Sequence, residues 1–386
     1  MTEKLYDNSS YLTEFTANVI SCTPCEKGYR ITLDKTAFFP EEGGQYSDKG
    51  FLNHAEVFDV QIENQELVHY CSDSLSGEVV GKIDFERRFR NMQNHTGEHI
   101  ISGLIHSLFG GENVGFHLGE LEVTCDYDIV LTEEQLKIIE LEANKAIYKN
   151  LPVTAYYPTA EEIKNINYRS KKDIAEQLRI VTIESVDCCA CCAPHVKNTG
   201  EVGIIKILSS MKLRGGIRLF IACGLDAFMD YSLKHNEIKT ISTLMAAKPE
   251  ESAAGVQRLI SNIKTQAHKI NLLCSQISQH KIESIEKCDS NIVVFTSCCD
   301  TKSLRELVNK AKEKSGNICA AFSENAINDY SYVIYSEISD ICELATDISK
   351  KLGGRGGGKS PMIQGSVKAE KQAIKAYFCD AVFFEL

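Results

Sequence analysis

Two pairs of side chains that can bind a metal constrain this chain more than any other feature. His95 and His99 are four residues apart, and Cys191 and His195 repeat that spacing about ninety residues later. The apolar periodicity around the first pair predicts a helix over about 89–109, which would turn both imidazoles to one face. Thiolate and imidazole ligands favour zinc over magnesium or calcium. The two pairs therefore predict one zinc ion per chain and require the two segments to meet in one domain.

Each pair alone has a plainer interpretation. Two histidines on a helix can be satisfied by ordinary hydrogen bonds. The dense run Cys188-Cys189-Ala190-Cys191-Cys192 could be a surface redox site or an adventitious metal site. The presence of both pairs in one chain favours the zinc interpretation.

Length and composition are typical of a soluble globular protein. The chain has 386 residues, 43% of them hydrophobic and 25% charged, and this length predicts two to three domains. No run of eighteen apolar residues occurs, and the first residues lack the order of a signal peptide, so no membrane span and no export are expected. The expectation is a cytoplasmic protein in which most of the 16 cysteines are buried free thiols.

Patterns along the chain predict an α+β protein in four parts. Residues 1–86 alternate apolar and polar side chains as half-buried strands do, which predicts a β-barrel-like domain with a glycine-rich loop. Residues 87–232 mix helix and strand signals and carry both ligand pairs, which predicts a zinc-containing α/β domain. A helical coiled-coil segment over 233–285 and a small C-terminal α/β domain over 286–386 complete the prediction.

The helical part carries an apolar seam with the alternating four-three spacing of a coiled coil. Its members are Val256, Ile260, Ile263, Ala267, Ile270, Cys274 and Ile277. Such a seam needs a partner helix. The preceding segment, with Ile238, Ile241 and Leu244, could fold back onto it, or a second copy of the chain could supply the partner and make a homodimer.

The net charge of −11 argues against a nucleic-acid partner on average, because phosphate contacts need lysine and arginine. Basic residues are nevertheless grouped in three places. The groups are Arg169, Lys171 and Lys172; Lys206, Lys212, Arg214 and Arg218; and Lys350, Lys351, Arg355 and Lys359. Ordinary solvated surface charge is the alternative interpretation of each group.

With its flanks, the ligand pattern resembles the editing domain of alanyl-tRNA synthetase and its stand-alone relatives, the alanyl-tRNA editing proteins of the AlaX family. Four segments carry the resemblance in addition to the ligand pairs. They are Thr36–Glu41 with Gly43-Gly44-Gln45, similar to a glycine-rich loop; Thr199–Gly203; the basic strand Lys212–Arg218; and Gly353–Gly358, similar to a glycine-rich segment of the synthetase C-terminal domain. The resemblance therefore indicates the long form of the family. Glu42 and Cys192-Ala193-Pro194 depart from the family pattern, which bears on amino-acid selectivity and not on the ligands.

The resemblance implies a trans-editing hydrolase that removes serine or glycine from mischarged tRNA(Ala). No aminoacylation domain is expected, because the first editing-like block begins almost at Met1. Zinc would polarise the ester carbonyl or lower the pKa of a water. Four protein ligands already fill a tetrahedron, which is typical of structural zinc, so we expect the site to expand its coordination and to position substrate and water.

The resemblance also implies roles for other residues. Thr36 would hydrogen-bond the hydroxyl of a misattached serine, and Gln45 would hold the terminal ribose or the ester. Backbone N–H groups at Gly43 and Gly44 would face the carbonyl oxygen as it gains charge, and Glu98 belongs to the same catalytic and substrate-binding set. The tRNA-binding set consists of Arg214, Arg218, Gly354, Arg355, Gly356, Gly357 and Lys359.

Two other functions fit parts of the pattern. His95-x-x-Glu98-His99 fits the inverted zinc-peptidase motif with Glu98 as general base, but that enzyme needs a distant third ligand, usually a carboxylate. Alternatively, the zinc is structural and the chain is a non-catalytic nucleic-acid-binding module. Metal removal separates the hypotheses, because loss of activity with the fold retained indicates catalysis and unfolding indicates a structural ion.

Overall fold

The computed structural model describes residues 2–170, 178–297, 299–337 and 340–386. The chain forms two compact units, Met1–Glu237 and Ile238–Leu386. Helices and several sheets occur in the same chain, so the predicted mixed α+β class is confirmed. The finer division at residues 86, 232 and 285 stays a prediction. Lys171 and Lys172, part of the first basic group, lie outside the described residues.

The first unit begins with strands that close into a barrel in the order β2-β3-β7-β6-β5-β8, beside a short parallel pair of β1 and β4. The elements are β1 Glu3–Lys4, α1 Leu5–Asn8, β2 Glu14–Cys25, β3 Gly28–Leu33, β4 Lys35–Thr36, β5 Gly50–Leu52, β6 Ala55–Glu63, β7 Glu66–Cys71 and β8 Glu78–Ile83. Alternate residues of β8, such as Val79 and Ile83, are buried while their neighbours are exposed. This period of two fills the barrel with apolar side chains, among them Ile31 and Leu52.

One long helix, α2 Phe85–Phe109, follows the barrel directly. The carboxylate of Asp84 caps it by accepting a hydrogen bond from the Arg87 backbone N–H at 3.1 Å. The helix ends at Gly110, whose φ of 72° is the left-handed conformation of a glycine C-cap. The helix predicted for about 89–109 is thus confirmed, with a first turn that starts earlier because of the cap.

Two further sheets complete the first unit, in the orders β14-β15-β10-β9 and β11-β12-β13. The elements are β9 Asn113–Leu118, β10 Val123–Tyr127, α3 Glu133–Tyr148, β11 Val153–Tyr156, α4 Ala160–Ile163, β12 Ile180–Ile183, β13 Asp187–Ala190, a 3₁₀ turn Thr199–Val202, β14 Ile205–Leu213 and β15 Gly216–Cys223. The capping boxes at Thr132 and Thr159 begin α3 and α4. Apolar side chains of α2, α3 and the four-stranded sheet share one core, which fixes α2 against the sheet.

Helix α5 Leu225–Leu244 runs across the boundary between the units, and α6 Ser252–Glu283 follows a 3₁₀ turn at Pro249–Glu251. In α6 the seam stays largely uncovered in the single chain, since Ile260, Ile263 and Ile277 are each about half-exposed. Ile238 and Leu244 are exposed as well. The fold-back interpretation is therefore wrong for these side chains, because they do not bury the seam; a second copy stays a prediction.

The second unit ends in a mixed sheet with the order β19-β20-β18-β17-β16-β21. Its elements are β16 Asn291–Ser297, α7 Thr301–Ala311, a 3₁₀ turn Lys312–Lys314, β17 Cys319–Ala326, β18 Asp329–Tyr335, α8 Ile341–Lys351, β19 Gly354–Lys359, β20 Met362–Lys368, α9 Lys371–Tyr377 and β21 Ala381–Glu385. The glycine-rich segment is thus an edge strand and not a flexible linker. Within the described ranges, no helix has both the length and the apolar character that crossing a membrane requires.

Candidate metal centre

Four side chains from two distant parts of the first unit meet in one buried cluster, which we call the donor cluster. It consists of His95, His99, Cys191 and His195. Their potential ligand atoms all lie within 4.8 Å of one another. The Cys191 Sγ is 3.5 Å from His95 Nε2 and 3.4 Å from His195 Nε2. The two predicted pairs are therefore brought together as one set.

Local structure explains how each pair reaches the cluster. His95 and His99 lie one turn apart on the buried face of α2, and their rings are 5.5 Å apart. Cys191 and His195 lie in the loop that follows β13, a strand held beside α2. Arg179 fixes this loop, because its guanidinium donates hydrogen bonds to the carbonyl oxygens of Cys191 at 3.1 Å and Ala193 at 2.8 Å.

Each imidazole is oriented by a hydrogen bond at its outer nitrogen. The Nδ1 atoms pair with Gln45 Oε1 at 2.9 Å for His95, with Asp187 Oδ2 at 2.9 Å for His99, and with Thr96 Oγ1 at 3.0 Å for His195. With these oxygens as acceptors, the proton resides on Nδ1 and the lone pair on Nε2. The Nε2 atoms thus converge with the Cys191 thiol, as ligand histidines do when a second group sets their tautomer.

Burial and neighbouring charges shift the pKa values of these groups in different directions. Burial alone would raise the pKa of Cys191, but the neighbouring His95 holds it well below its ordinary value, which favours the thiolate. Burial lowers the pKa of His195 to about 3, so this ring is neutral. Burial also opposes charge on His99, but its hydrogen bond with Asp187 outweighs that effect and raises the pKa of His99.

The donor set fits zinc. Three imidazole nitrogens and one thiolate are the ligand types zinc prefers, and a carboxylate on the outer nitrogen of His99 is a common support for a zinc-bound histidine. Asp187 is in turn held by Arg169, whose Nε donates to its Oδ1 at 2.7 Å. A second possible group, His99, Asp187 and Cys189, shares a histidine with the first. In this second group the Asp187 carboxylate already accepts a hydrogen bond from His99 Nδ1, so the donor cluster is the more complete site.

The glycine-rich loop forms one wall beside the donor cluster. Glu42 and Gln45 pair across a two-residue turn, in which Gly43 and Gly44 have φ values of 64° and 81°. A Cβ on Gly44 would clash with the carbonyl oxygen of Phe116, whose ring lies 4.8 Å from that of His95. Gln45 is fully buried, and its amide Nε2 has no hydrogen-bond partner among the described residues. This donor is therefore available to a ligand.

Glu98 lies at the edge of the donor cluster. Its Oε1 accepts hydrogen bonds from Ser102 Oγ and from Asn113 Nδ2, each at 2.6 Å. Its Oε2 is 3.9 Å from His99 Nε2. The carboxylate is therefore held in one orientation on the side where the histidine lone pairs converge.

The other predicted residues belong to β4, to the hairpin of β14 and β15, and to β19. Thr36 is fully buried in β4, and its hydroxyl contacts His69 Nε2 at 2.8 Å and the Phe38 backbone N–H at 3.1 Å. Arg214 lies exposed in the turn between β14 and β15, whereas Arg218 forms a two-pronged ion pair with Asp126 at 2.6 and 2.7 Å. The predicted tail residues, Gly354, Arg355, Gly356, Gly357 and Lys359, form β19 in the second unit.

Sequence reasoning missed the residues that support the donors. Asp187, Arg169 and Arg179 come from segments whose pairing with the cluster depends on the tertiary fold. Thr96 stands between the two histidines of α2 and faces His195, so the spacing within the motif could have indicated it. Asp187 lies four residues before Cys191, and this acidic residue close to a predicted ligand could have indicated a supporting group.

Fold and site together define an α+β protein built around a buried candidate metal centre of three imidazoles and one thiol. Residues 178–220 match the domain family described as "Threonyl and Alanyl tRNA synthetase second additional domain". The Alanyl-tRNA editing protein Aarsd1-A of Xenopus laevis is 32% identical over 283 residues, which cover 68% of this chain and 69% of that protein. The Alanyl-tRNA editing protein AlaX-L of Pyrococcus horikoshii is 26% identical over 399 residues, or 97% and 96% of the two chains. The chain belongs to the family of alanyl-tRNA editing proteins, and the predicted resemblance is confirmed.

One solved structure is also similar. The crystal structure of the C-Ala domain from Aquifex aeolicus alanyl-tRNA synthetase is 22% identical and covers 24% of this chain and 95% of that chain, with a TM-score of 0.20. So low a score carries no argument about fold.

Proposed function

We propose that this chain is an aminoacyl-tRNA deacylase that removes serine or glycine from mischarged tRNA(Ala), with one zinc ion held by the donor cluster. Relatives named alanyl-tRNA editing proteins support the tRNA(Ala) part of the proposal. The observation that carries the metal part is the convergence of three Nε2 atoms and one thiol while every Nδ1 is hydrogen-bonded outward. The reaction needs no ATP, because an aminoacyl ester is already activated.

Bound zinc would supply a Lewis acid for the ester carbonyl or for a water. The chain's own residues then have separate tasks. The buried amide of Gln45 has a hydrogen to donate, and an ester or ribose oxygen beside His95 would accept it. The turn at Gly43 and Gly44 exposes backbone to a ligand with no side chain in the way. Glu98, fixed by Ser102 and Asn113, offers a carboxylate to a polar substrate group or a water.

The hydrogen bonds of Thr36 limit how it could recognise serine. Burial lowers the pKa of His69 to about 4, so its ring is neutral. Its Nδ1 donates to the Ile31 carbonyl at 3.1 Å, which leaves Nε2 to accept from the Thr36 hydroxyl. That hydroxyl also accepts from Phe38 N–H. One lone pair is left, so Thr36 would accept a hydrogen bond from a serine hydroxyl and not donate one.

We further propose that β19 contacts the body of the tRNA. Arg355 and Lys359 are exposed on this edge strand, and the glycines between them let a polynucleotide backbone approach closely. Arg214 is available for the same purpose. Arg218 is balanced by Asp126 and would have to exchange this partner for a phosphate.

The α6 seam is proposed as a homodimer contact. Ile263→Asp should convert a dimer into a monomer, because a carboxylate would be buried in an apolar interface. Light scattering after gel filtration measures the mass directly. A wild-type protein that is already monomeric would exclude this contact.

The test of the proposed function is a deacylation assay with seryl-, glycyl- and alanyl-tRNA(Ala), with a peptide substrate as the control. We expect the first two to be hydrolysed and the third to be spared. Protein treated with a chelator should lose activity, and stoichiometric zinc should restore it. Hydrolysis of the peptide alone would replace the proposal with the peptidase hypothesis, which the geometry supports less, because Cys191 and His195 stand where that enzyme needs a carboxylate ligand.

A further inference from the structure

The loop that carries Cys191 and His195 also packs against a buried tyrosine. Tyr6 of α1 packs edge-on against Phe39 at 5.3 Å and against Ala193 of that loop. It is 2% exposed, yet its hydroxyl has no hydrogen-bond partner within the described part of the chain. A buried hydroxyl without a partner costs about 1–3 kcal/mol. Such a group can form a hydrogen bond with a bound ligand.

The surroundings of this hydroxyl are acidic. Burial raises the pKa of Tyr6, and the negative charges of Asp7 and Glu42 raise it further. Asp7 has a cation beside it, because Arg179 Nε lies 3.8 Å away, and it accepts a hydrogen bond from Tyr157 Oη at 2.9 Å. Glu42 forms no ion pair among the described residues, and the thiol of Cys192 donates a hydrogen bond to it. A cation with hydrogen-bond donors is the ligand that these groups favour.

Glu42 and the donor cluster are connected by the glycine turn. Glu42 and Gln45 are directly paired across it, so their side chains lie on the same face, with Cβ atoms roughly 5 Å apart. Gln45 uses that face to reach His95. Gly43 borders the same place, since a Cβ there would be 3.6 Å from Cys192 Sγ. A small ligand held at Gln45 can therefore also reach Glu42.

We propose that Glu42 and Tyr6 form the subsite for the primary ammonium group of the aminoacyl ester, an inference that rests on the proposed deacylase function. In an aminoacyl ester the ammonium group is one carbon away from the carbonyl. Glu42 neutralises the ammonium and accepts one hydrogen bond, and Tyr6 accepts another. The subsite selects esters of amino acids over esters of hydroxy acids, and it orients the carbonyl toward Gln45 and the donor cluster.

The test uses two ligands that cannot be hydrolysed, both amides of 3′-amino-3′-deoxyadenosine. One carries L-serine, and the other carries glyceric acid, in which a hydroxyl replaces the ammonium. Calorimetry at pH 7.0 with the zinc-loaded full chain should show tighter binding of the seryl amide by about tenfold to a hundredfold, the range for a hydrogen bond to a charged group. Glu42→Gln should remove most of that preference, and Tyr6→Phe should remove part of it. Equal affinity of the wild-type protein for both amides would overturn the subsite.

Matched controls separate recognition from structure. Glu41→Gln changes the neighbouring exposed carboxylate, and Tyr148→Phe removes an exposed hydroxyl from α3; both should keep the wild-type preference. Tyr6→Phe should melt no lower than the wild-type protein, because it removes a buried hydroxyl that has no partner to lose. A lower melting temperature would overturn the inference by assigning that hydroxyl a structural role. If the wild-type protein hydrolyses charged tRNA but binds the two amides equally well, the subsite alone is refuted. If it does not hydrolyse charged tRNA, the proposed function is refuted.

Discussion

Replacing Thr36 by valine tests the buried hydrogen bonds of the barrel and the recognition of serine in one variant. Valine has nearly the shape of threonine but no hydroxyl. In the wild-type protein this hydroxyl satisfies His69 Nε2 at 2.8 Å and the Phe38 N–H at 3.1 Å, and all three residues are fully buried. Thr36→Val therefore leaves one buried acceptor and one buried donor without partners.

The expected loss of stability follows from these two groups. An unsatisfied buried polar group costs about 1–3 kcal/mol, so the free energy of unfolding should fall by about 2–6 kcal/mol. For a unit of this size, each kcal/mol corresponds to about 2–4 °C, so the melting temperature should fall by at least about 4 °C. Differential scanning calorimetry measures this shift. Thr36→Ser keeps the hydroxyl and is the matched control.

Kinetics on the same variant address recognition. If the remaining lone pair of Thr36 accepts a hydrogen bond from a misattached serine, release of serine should slow more than release of glycine. The difference should correspond to about 0.5–1.5 kcal/mol, or roughly twofold to tenfold. Equal melting temperatures of Thr36→Val and Thr36→Ser would refute the hydrogen-bond argument. Equal slowing of both substrates would instead assign Thr36 to the structure of the barrel alone.

Three further predictions concern pH, metal and tRNA binding. Burial lowers the pKa of His69 to about 4. As the pH falls from about 6.5 to 4, the unfolded state therefore binds a proton at this ring before the folded state does, and the free energy of unfolding should decrease by up to about 3 kcal/mol. Urea unfolding at several pH values should show a smaller decrease for His69→Gln. Cys191→Ala should abolish both the binding of one zinc ion per chain and the hydrolysis, whereas Cys189→Ala should retain both. Elemental analysis measures the zinc content of each variant. Equal loss in the two variants would mean that the ligand thiol was misassigned. Arg355→Ala combined with Lys359→Ala should raise KM for charged tRNA more than it changes kcat, and should weaken the salt dependence of binding; unchanged tRNA affinity would exclude β19 as a contact.

Local signals were sufficient to predict the helix that carries half of the donor cluster. The spacing of His95 and His99 and the glycine at position 110 both act within a few residues, so the face of α2 and its end could be derived directly. The supporting groups could not be derived in this way. Asp187 reaches His99 only because β13 packs beside α2, and Arg179 reaches the Cys191 loop only through the register of β12 with β13.

The glycine-rich tail illustrates how tertiary packing overrides composition. Glycine disfavours strands, so a run of glycines suggests a linker. Here the segment pairs with β20 along its whole length. A Cβ on Gly356 would clash with the Tyr332 hydroxyl, and one on Gly354 would clash with the Ser366 carbonyl. These close approaches require glycine, but the sequence alone does not show which neighbours approach.

The outward hydrogen bonds of the three histidines also determine when the site can form during synthesis of the chain. Gln45 belongs to the glycine-rich loop between β4 and β5, Thr96 to α2 and Asp187 to β13, so the rings acquire their orientation only after segments that are distant in sequence have docked. Contacts between such distant segments form late, because closing long loops costs entropy. A nascent chain therefore offers an arriving metal ion no ordered site until the Cys191 loop has emerged from the ribosome and packed. In this order of events a metal ion would bind to a site that the fold has already assembled, the reverse of a zinc finger, whose fold is created by its metal.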